Sequence, residues 1–587
     1  MSITGAPRYL ASFLNGARLI YQASPLLAAG FFLVLVLQAL VPGLTVFAVG
    51  RLVDAAVAWE TPALRFWAGV WLAILVADQI LGPVAAALQG NLNERLTAFF
   101  NEQLMRKIAT FEDLTPFEDE AFYNRVQLLR EQASYQPTNL IIFFAATFRG
   151  FVTLIPLLFA MATVLWWVPL ALVVAAVPYA LVSFKLQRAV WETLAQTNPE
   201  ARRMDYAGRL LLDPAYAKEH RLYRSFEFWI GYYRRHFARL HREMRAARFR
   251  QLRGNLAYVL VSALGIAAAL LGMLARRSSA GELAMFLQTL SYLQNTLLML
   301  ISDGSMLYES LLYLDEARAF LEEAPGIRPG GRVVILDRPP RIAFENVGFV
   351  YPDGRRALTE IAFTIEPGET IGLVGENGAG KTTLVKLLLR FYDPTEGRIL
   401  VDGVDLRELD VEAWRRQIAA VFQDYGRYAL TVRENVTLAD PPRLADAEGA
   451  RRAIEAAGAG DLLEKLPEGL ETPLSKMFGG TDLSTGEWQK LAIARAFFRE
   501  SAKVMVLDEP TASLDPIQEV AVFERFIELG EGRTVLVVSH RLGSVRRADR
   551  IAVLEGGRLR ELGSHDELLR LGGLYARMYA AQSEWYR

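Results

Sequence analysis

Cysteine is absent from the 587 residues of the chain, and histidine occurs only five times. Without cysteine the protein can form neither disulfide bonds nor zinc–thiolate or iron–sulfur centres. A surplus of one charge sign is also missing, because 64 basic residues are balanced by 65 acidic residues. A nearly neutral chain gives no indication of a nucleic-acid partner, so none is predicted.

Charge is missing altogether from several long stretches among the first 306 residues. Residues 24–50 carry no charge, and neither do the 35 residues from 150 to 184. A helix that crosses a bilayer needs about 20 mostly apolar residues, because its backbone polar groups must be satisfied within the helix. Core helices of a soluble protein are the alternative, but they rarely run so long without charge. We therefore predict six spans, at about 24–50, 64–90, 135–161, 163–186, 254–276 and 282–306.

Basic residues are concentrated in two of the connections between these spans, at 94–131 and 185–250. Because arginine and lysine favour the cytoplasmic side, both loops are predicted to be cytoplasmic, and both read as helical continuations of the spans. The chain is then a multi-pass protein of the cell membrane. Asp78 and Arg149 are the charges inside the apolar stretches, and they either line a substrate cavity or neutralise each other. Arg149 is also a candidate for attracting an anionic substrate.

The composition changes after residue 306. A charged helix leads into a Pro/Gly-rich linker, and from about residue 341 short β-rich runs alternate with helices. This alternation is typical of a soluble α/β domain with a mainly parallel sheet. The predicted domains are a membrane domain at 1–320, a linker at 321–340 and an α/β domain at 341–587.

The segment "GENGAGKT" at 375–382 fits the pattern of a phosphate-binding loop. It follows a strand-like run and opens a helix, which is the context in which backbone N–H groups and the helix dipole hold phosphates. Lys381 is predicted to reach the β- and γ-phosphates of ATP, and the Thr382 hydroxyl is predicted to bind Mg²⁺.

Three later segments end strand-like runs with polar residues. In "VMVLDEP", Asp508 is suited to hold Mg²⁺ and Glu509 to polarise an attacking water. In "VLVVSH", His540 is predicted to contact the γ-phosphate, although a lone histidine is more often structural. Gln423 in "VFQDY" either touches Mg²⁺ or the attacking water, or lies on the surface.

The segment "LSTGE" at 483–487 precedes an amphipathic helix. Ser484 can cap that helix, and Gly486 allows the backbone to approach an anion. An ordinary helix cap and an anion-binding site are both compatible with the residues alone.

Together these segments resemble an ATP-binding cassette (ABC) transporter over nearly the whole chain. The specific features are their order and the six spans followed by one cassette, which resembles an exporter-type half-transporter. The implied fold is an α-helical membrane domain of six transmembrane helices, with long cytoplasmic extensions, plus an α/β P-loop NTPase nucleotide-binding domain. The implied activity is ATP-driven, Mg²⁺-dependent export or flipping of an amphiphilic drug, lipid or peptide by alternating access. An importer or a non-transporting ABC ATPase is the alternative, and the fused spans argue against both.

The resemblance also implies a role for each matching residue. Tyr351 is expected to stack on adenine, Gln423 to sense Mg²⁺ and face the membrane domain, and Asp515 to lie between two cassettes. Ser484 and Gly486 are expected to touch the γ-phosphate bound by the other chain. Short coupling helices near 112–120 and 211–220 are expected to dock on the cassettes. The phosphates are expected to be held by Gly375, Glu376, Asn377, Gly378, Ala379, Gly380, Lys381, Thr382 and Thr383.

One position departs from the family pattern, which is LSGGQ. Thr485 replaces a glycine, and a β-branched residue adopts positive φ only at a cost and crowds the backbone near a phosphate. Glu487 replaces glutamine and is treated as a common variant. The imperfect signature fits either a homodimer, which is favoured, or the hydrolysis-competent half of a heterodimer.

Overall fold

The computed structural model describes residues 6–164, 166–167, 199–327, 330–510, 524–528 and 530–585. The chain divides into two compact units, and each is considered by itself. The first comprises residues 1–108 and 124–323, and the second comprises residues 109–123 and 324–587. Residues 109–123 therefore belong to the second unit, although in sequence they lie within the predicted membrane domain.

The described part of the first 323 residues forms helices, several of them with clear start signals. Pro25 begins α2 directly after Ser24, and Ser279 and Glu282 form a reciprocal capping box at the start of α10. The helices are α1 (Ala6–Ala23), α2 (Pro25–Val57), α3 (Thr61–Ile108), α4 (Thr115–Glu118), α5 (Glu120–Gln132), α6 (Gln136–Val164), α7 (Pro199–Leu212), α8 (Ala217–Leu222), α9 (Phe226–Arg276) and α10 (Ala280–Glu322).

Four of these helices, α2, α3, α6 and α10, are long and apolar enough to cross a membrane. They contain the predicted spans at 24–50, 64–90, 135–161 and 282–306. With 48 residues, α3 is about 70 Å long, more than twice the thickness of a bilayer's hydrocarbon core, so it extends well beyond a membrane.

The other two predicted spans are not confirmed. The span at 254–276 falls in the last part of α9, where the apolar stretch found among the described residues, Ala263–Arg276, is shorter than 18 residues. The span at 163–186 lies almost entirely outside the described residues.

Arg149 has an electrostatic partner inside the first unit, but it differs from the predicted one. The charge of Arg149 on α6 interacts with that of Asp303 on α10, whereas Asp78 lies on an exposed part of α3. Asp303 lies within the last predicted span, at 282–306, but it was not among the charges predicted inside the apolar stretches. The two charges lie on α6 and α10, two of the membrane-length helices.

The second unit contains two sheets. The strands are β1 (Ile342–Val350), β2 (Arg356–Ile365), β3 (Thr370–Gly375), β4 (Glu396–Val401), β5 (Val404–Asp405), β6 (Ile418–Val421), β7 (Val504–Asp508), β8 (Thr534–Val538), β9 (Arg550–Glu555) and β10 (Arg558–Gly563). The larger sheet has the order β10-β9-β3-β8-β7-β6, with β10 antiparallel and the other pairs parallel. The smaller sheet is antiparallel, with the order β2-β1-β4-β5.

Every residue of β7 and β8 is buried, as expected of parallel strands covered on both faces. The helices of this unit are α11 (Lys381–Leu388), α12 (Val411–Arg416), α13 (Val432–Thr437), α14 (Ala447–Ala456), α15 (Gly460–Lys465), α16 (Thr485–Phe498), α17 (Leu542–Val545), α18 (His565–Leu571) and α19 (Leu574–Trp585). The strands β3, β7 and β8 are adjacent and parallel. The residues that follow their carboxyl ends therefore lie at one edge of the sheet.

Candidate nucleotide-binding site

The loop between β3 and α11 has the backbone conformation that its glycines allow. Gly375, Gly378 and Gly380 have φ angles of +152°, +81° and +100°. A Cβ atom on Gly375 would lie 2.2 Å from the carbonyl oxygen of Leu554, so no other residue fits there without a shift of the backbone. The loop then leads directly into α11, whose first residue is Lys381.

Lys381 is folded back onto this loop. Its ammonium group donates hydrogen bonds to the carbonyl oxygens of Gly375, at 2.8 Å, and Glu376, at 3.0 Å. Burial lowers the pKa of Lys381, whereas the charges of Glu509 and Asp508 act in the opposite direction. The ammonium group is hydrogen-bonded to neutral carbonyl oxygens and lies near two carboxylates. It is therefore well placed to bind an anionic phosphate.

Asp508, at the end of β7, has the features of a ligand for a hard cation. It is 3% exposed, and its Oδ1 atom has no hydrogen-bond partner among the described residues. The Thr382 side chain hydrogen-bonds to the Asp508 carboxylate, while burial and the charge of Glu509 raise the pKa of Asp508 to about 6. A buried acceptor without a donor, next to a hydroxyl at a phosphate loop, fits the oxygen ligands that Mg²⁺ requires.

Glu509 and His540 form a pair next to Asp508. The Nδ1 atom of His540 lies 3.1 Å from Oε1 of Glu509, whose side chain is 12% exposed. Glu509 has a φ of +49°, which is strained for a residue with a long side chain, and its N–H donates to the carbonyl oxygen of Val538 at 3.0 Å. The β7–β8 ladder therefore continues one residue past β7 and fixes the backbone of Glu509.

The "LSTGE" segment is a complete capping box. The Ser484 hydroxyl accepts a hydrogen bond from the Glu487 N–H at 3.3 Å, and the Glu487 carboxylate accepts from the Ser484 N–H at 2.8 Å. Thr485 is the first residue of α16 and does not have a positive φ, so the predicted backbone strain at this residue is wrong.

Comparison with known proteins agrees with this geometry. The ABC transporter family model matches residues 358–512. The chain is 29% identical over 517 residues to the subtilin transport ATP-binding protein of Bacillus subtilis, covering 86% of this chain and 83% of that protein. Residues 358–512 therefore form an ABC transporter domain.

Two further similarities differ in extent. The chain is 44% identical over 263 residues to the ATP-dependent lipid A-core flippase of Burkholderia orbicola, covering 45% of this chain and 43% of that protein. The structure of a bacterial Atm1-family ABC exporter with ATP bound matches with a TM-score of 0.80 at 22% identity, covering 95% of this chain and 98% of that one. The second similarity shows that nearly the whole chain has the fold of that exporter.

The remaining predicted site residues are Gln423, Asp515 and Tyr351. Gln423 follows β6 and is exposed, and Asp515 lies outside the described residues. Tyr351 is only 8% exposed: its hydroxyl hydrogen-bonds to Thr383 Oγ1 at 2.9 Å, and the Arg355 guanidinium lies 4.6 Å from its ring centre. An adenine that stacks on Tyr351 must therefore displace Arg355 or stack beside it.

The segment at 109–123, which includes the expected coupling helix near 112–120, packs within the cassette unit. The Arg415 guanidinium donates to the Glu112 carboxylate at 2.7 Å, and the Leu114 N–H donates to the Phe391 carbonyl oxygen at 3.1 Å. Tyr392 donates its hydroxyl hydrogen to Glu118. Sequence reasoning missed these partners, because the pairs are separated by about 270 to 300 residues.

Tyr392 connects this segment to the phosphate loop. It is 2% exposed, and its ring centre is 5.7 Å from that of Tyr351, which in turn hydrogen-bonds to Thr383 in the first turn of α11. Two aromatic rings therefore separate Glu118 from the helix that carries Lys381.

The cassette also has a cavity of about 310 Å³ with mainly apolar walls and three arginines. None of its residues was predicted from the sequence. It is lined by Leu389, Phe391, Arg415, Ile418, Ala420, Val421, Phe422, Tyr425, Gly426, Tyr428, Leu438, Ala439, Ala492, Arg495, Ala496 and Arg499.

Proposed function

We propose that this chain is one half of a dimeric exporter that couples ATP hydrolysis to the movement of an amphiphilic substrate, with a peptide favoured over a lipid or drug. The proposal rests on the convergence of Lys381, Asp508 and the Glu509–His540 pair at one edge of the sheet. These groups stand on a chain that also carries four membrane-length helices.

Each residue at this edge has a distinct task in hydrolysis. The phosphate loop and Lys381 bind the β- and γ-phosphates of ATP, and Thr382 and Asp508 are the residues that would hold Mg²⁺, which neutralises phosphate charge. Glu509 orients and polarises the attacking water. His540 contacts the Glu509 carboxylate through its Nδ1 atom, and its proposed second role is contact with the γ-phosphate of bound ATP.

The signature segment supplies the argument for two chains. Ser484 and Thr485 are exposed, although they lie at a helix start that carries three features suited to an anion: N–H groups, a hydroxyl and a dipole. An exposed anion-binding terminus is suited to the γ-phosphate bound by a second copy. A homodimer is favoured, because this chain keeps both Glu509 and the signature serine.

The second coupling segment is proposed to dock on the partner's cassette. The tip of the 199–226 region exposes large apolar side chains, with Leu212, Leu222 and Tyr223 between 71% and 85% exposed. Such a cluster requires a covering surface. The 310 Å³ cavity, with its aromatic walls, offers one on the second copy. The basic residues of the loops support a cytoplasmic location for these segments and the cassette, in a protein of the cell membrane.

A peptide substrate is favoured by the extent of the similarities. The match to the subtilin transport protein covers 517 residues and must include most of the membrane half, where a substrate would pass. The match to the lipid A-core flippase covers 263 residues, less than half of this chain. The Asp303 carboxylate acts electrostatically on Arg149, which weakens the case for Arg149 as a site for an anionic substrate.

The test is the mass and ATPase activity of the chain expressed alone in nanodiscs. A two-chain particle is expected to hydrolyse ATP, to be stimulated by an amphiphilic peptide, and to become inactive with Glu509→Gln. Glu531→Gln, which changes a surface carboxylate of the same cassette, is the control. A particle that is stimulated by a glycolipid and not by peptides would contradict the peptide assignment. An inert particle that becomes active with a second half-transporter would contradict the homodimer.

A further inference from the structure

The side-chain amide of Gln582, near the C-terminal end of α19, bridges the main chain around His540. Its Nε2 atom donates a hydrogen bond to the carbonyl oxygen of His540. Its Oε1 atom accepts one from the N–H of Leu542 at 2.9 Å. A single amide thus satisfies one backbone group at His540 and another two residues later, at the start of α17.

The helix that carries Gln582 is fixed at its other end. The Glu561 carboxylate accepts hydrogen bonds from the N–H groups of Leu574 and Tyr575, the first two residues of α19. Tyr575 is fully buried, and its hydroxyl is 2.8 Å from Nδ1 of His565. The position of Gln582 is therefore set by the β10 edge of the sheet and by the core of the cassette.

The His540 side chain itself is weakly held. It is 45% exposed, and its contact among the described residues is the 3.1 Å approach to Glu509. Its orientation thus depends on its backbone, which is tied to β3 through the hydrogen bond from the Ser539 N–H to the Leu373 carbonyl oxygen. After His540, the backbone is held by the hydrogen bonds of Gln582 to the His540 carbonyl oxygen and the Leu542 N–H.

We propose that Gln582 is a positioning residue for ATP hydrolysis, which keeps the His540 loop in the conformation that places Nδ1 against Glu509. This role rests on the proposed ATPase function. It assigns to α19 a task at the hydrolytic site.

The test compares Gln582→Met, which keeps the length of the side chain and removes both hydrogen bonds, with Arg577→Met on the same helix. In the full-length protein, Gln582→Met is expected to lower kcat about fivefold with little change in the KM for ATP, as loss of one or two partly exposed hydrogen bonds allows. In a His540→Ala background the same change is expected to have no further effect, because the two residues act as one unit. Arg577→Met is expected to leave kcat unchanged.

Additive losses in the double variant, or equal losses in Gln582→Met and Arg577→Met, would overturn the proposal. Amide hydrogen exchange provides a readout that does not depend on activity. Exchange at the Leu542 N–H is expected to become about tenfold faster in Gln582→Met, as the loss of its acceptor implies. Unchanged exchange at the Leu542 N–H would refute the bridge, whether or not the wild-type chain alone hydrolyses ATP. Absence of ATP hydrolysis by the wild-type chain would count against the proposed function and not against the role of Gln582.

Discussion

Replacing Asp508 with asparagine is expected to stabilise the nucleotide-free protein and to abolish Mg²⁺-dependent ATP hydrolysis. Asp508 is 3% exposed, and its Oδ1 atom has no hydrogen-bond partner among the described residues. Burial, and then the charge of Glu509, raise its pKa from 3.8 to about 6. Between these pH values the native state binds more protons than the unfolded chain, so the free energy of unfolding decreases as the pH rises.

The pKa shift sets the magnitude of this effect. A rise of about two units corresponds to about 3 kcal/mol, which is the most that ionised Asp508 can cost the native state at pH 7. Asparagine has the same shape, can keep a hydrogen bond to Thr382 and carries no charge. The gain in stability from Asp508→Asn is therefore expected to increase by about 1 kcal/mol between pH 5 and pH 7 and to stay constant above pH 7.

The assay is thermal unfolding of the full-length protein in EDTA, from pH 5 to pH 8, followed by the fluorescence of Trp414 and Trp488 in the cassette. Introducing Asp508→Asn into a Glu509→Gln background provides the control. Without the Glu509 charge the pKa of Asp508 is expected to be lower, so the pH-dependent gain should shrink. A gain that does not vary with pH, or a variant less stable than the wild type throughout, would refute the electrostatic argument.

Two further predictions concern the signature segment and the dimer. Glu487→Gln is expected to lower the KM for ATP several-fold, because it removes a negative charge from the helix start that is proposed to meet the γ-phosphate. Thr485→Gly is the matched comparison and is expected to change the KM less than twofold, since Thr485 has no positive φ to relieve; a larger effect of Thr485→Gly would reverse the assignment. In the cysteine-free chain, Leu222→Cys combined with Leu438→Cys is expected to form covalent dimers under oxidation. The pair Leu571→Cys and Leu438→Cys should not, and failure of both pairs to cross-link would contradict docking on a second copy.

The residues proposed for hydrolysis can be recognised in the sequence because each belongs to a local pattern. The phosphate loop is recognised from glycines, a lysine and a threonine between a strand and a helix, and its conformation depends mainly on those same residues. Asp508 and His540 follow apolar runs short enough to be strands. Adjacent parallel strands bring such ends together whatever the rest of the chain does. The larger sheet, in which all strands except β10 are parallel, agrees with the predicted α/β domain with a mainly parallel sheet.

The contacts that could not be predicted join residues far apart in the chain. Glu118 meets Tyr392, Glu112 meets Arg415, and Arg149 interacts with Asp303, and nothing in the local sequence marks these pairs. Gln582 is a single glutamine on a short helix, and its role depends on where that helix ends in space. The span at 254–276 is ambiguous for a related reason, since a 51-residue helix contains both its charged and apolar parts.

The signature segment shows that the conspicuous departure from a pattern need not be the influential one. Thr485 occupies the first position of α16, where the ordinary helical backbone suits a threonine. Glu487 completes the capping box, and its carboxylate accepts hydrogen bonds from both the N–H and the hydroxyl of Ser484. In the nucleotide-free chain an anion therefore already occupies the donors that a γ-phosphate would use. In the proposed dimer, binding of ATP would have to displace this carboxylate. The substitution at 487 would then set the energetic cost of closing the site, and the substitution at 485 would contribute little to it.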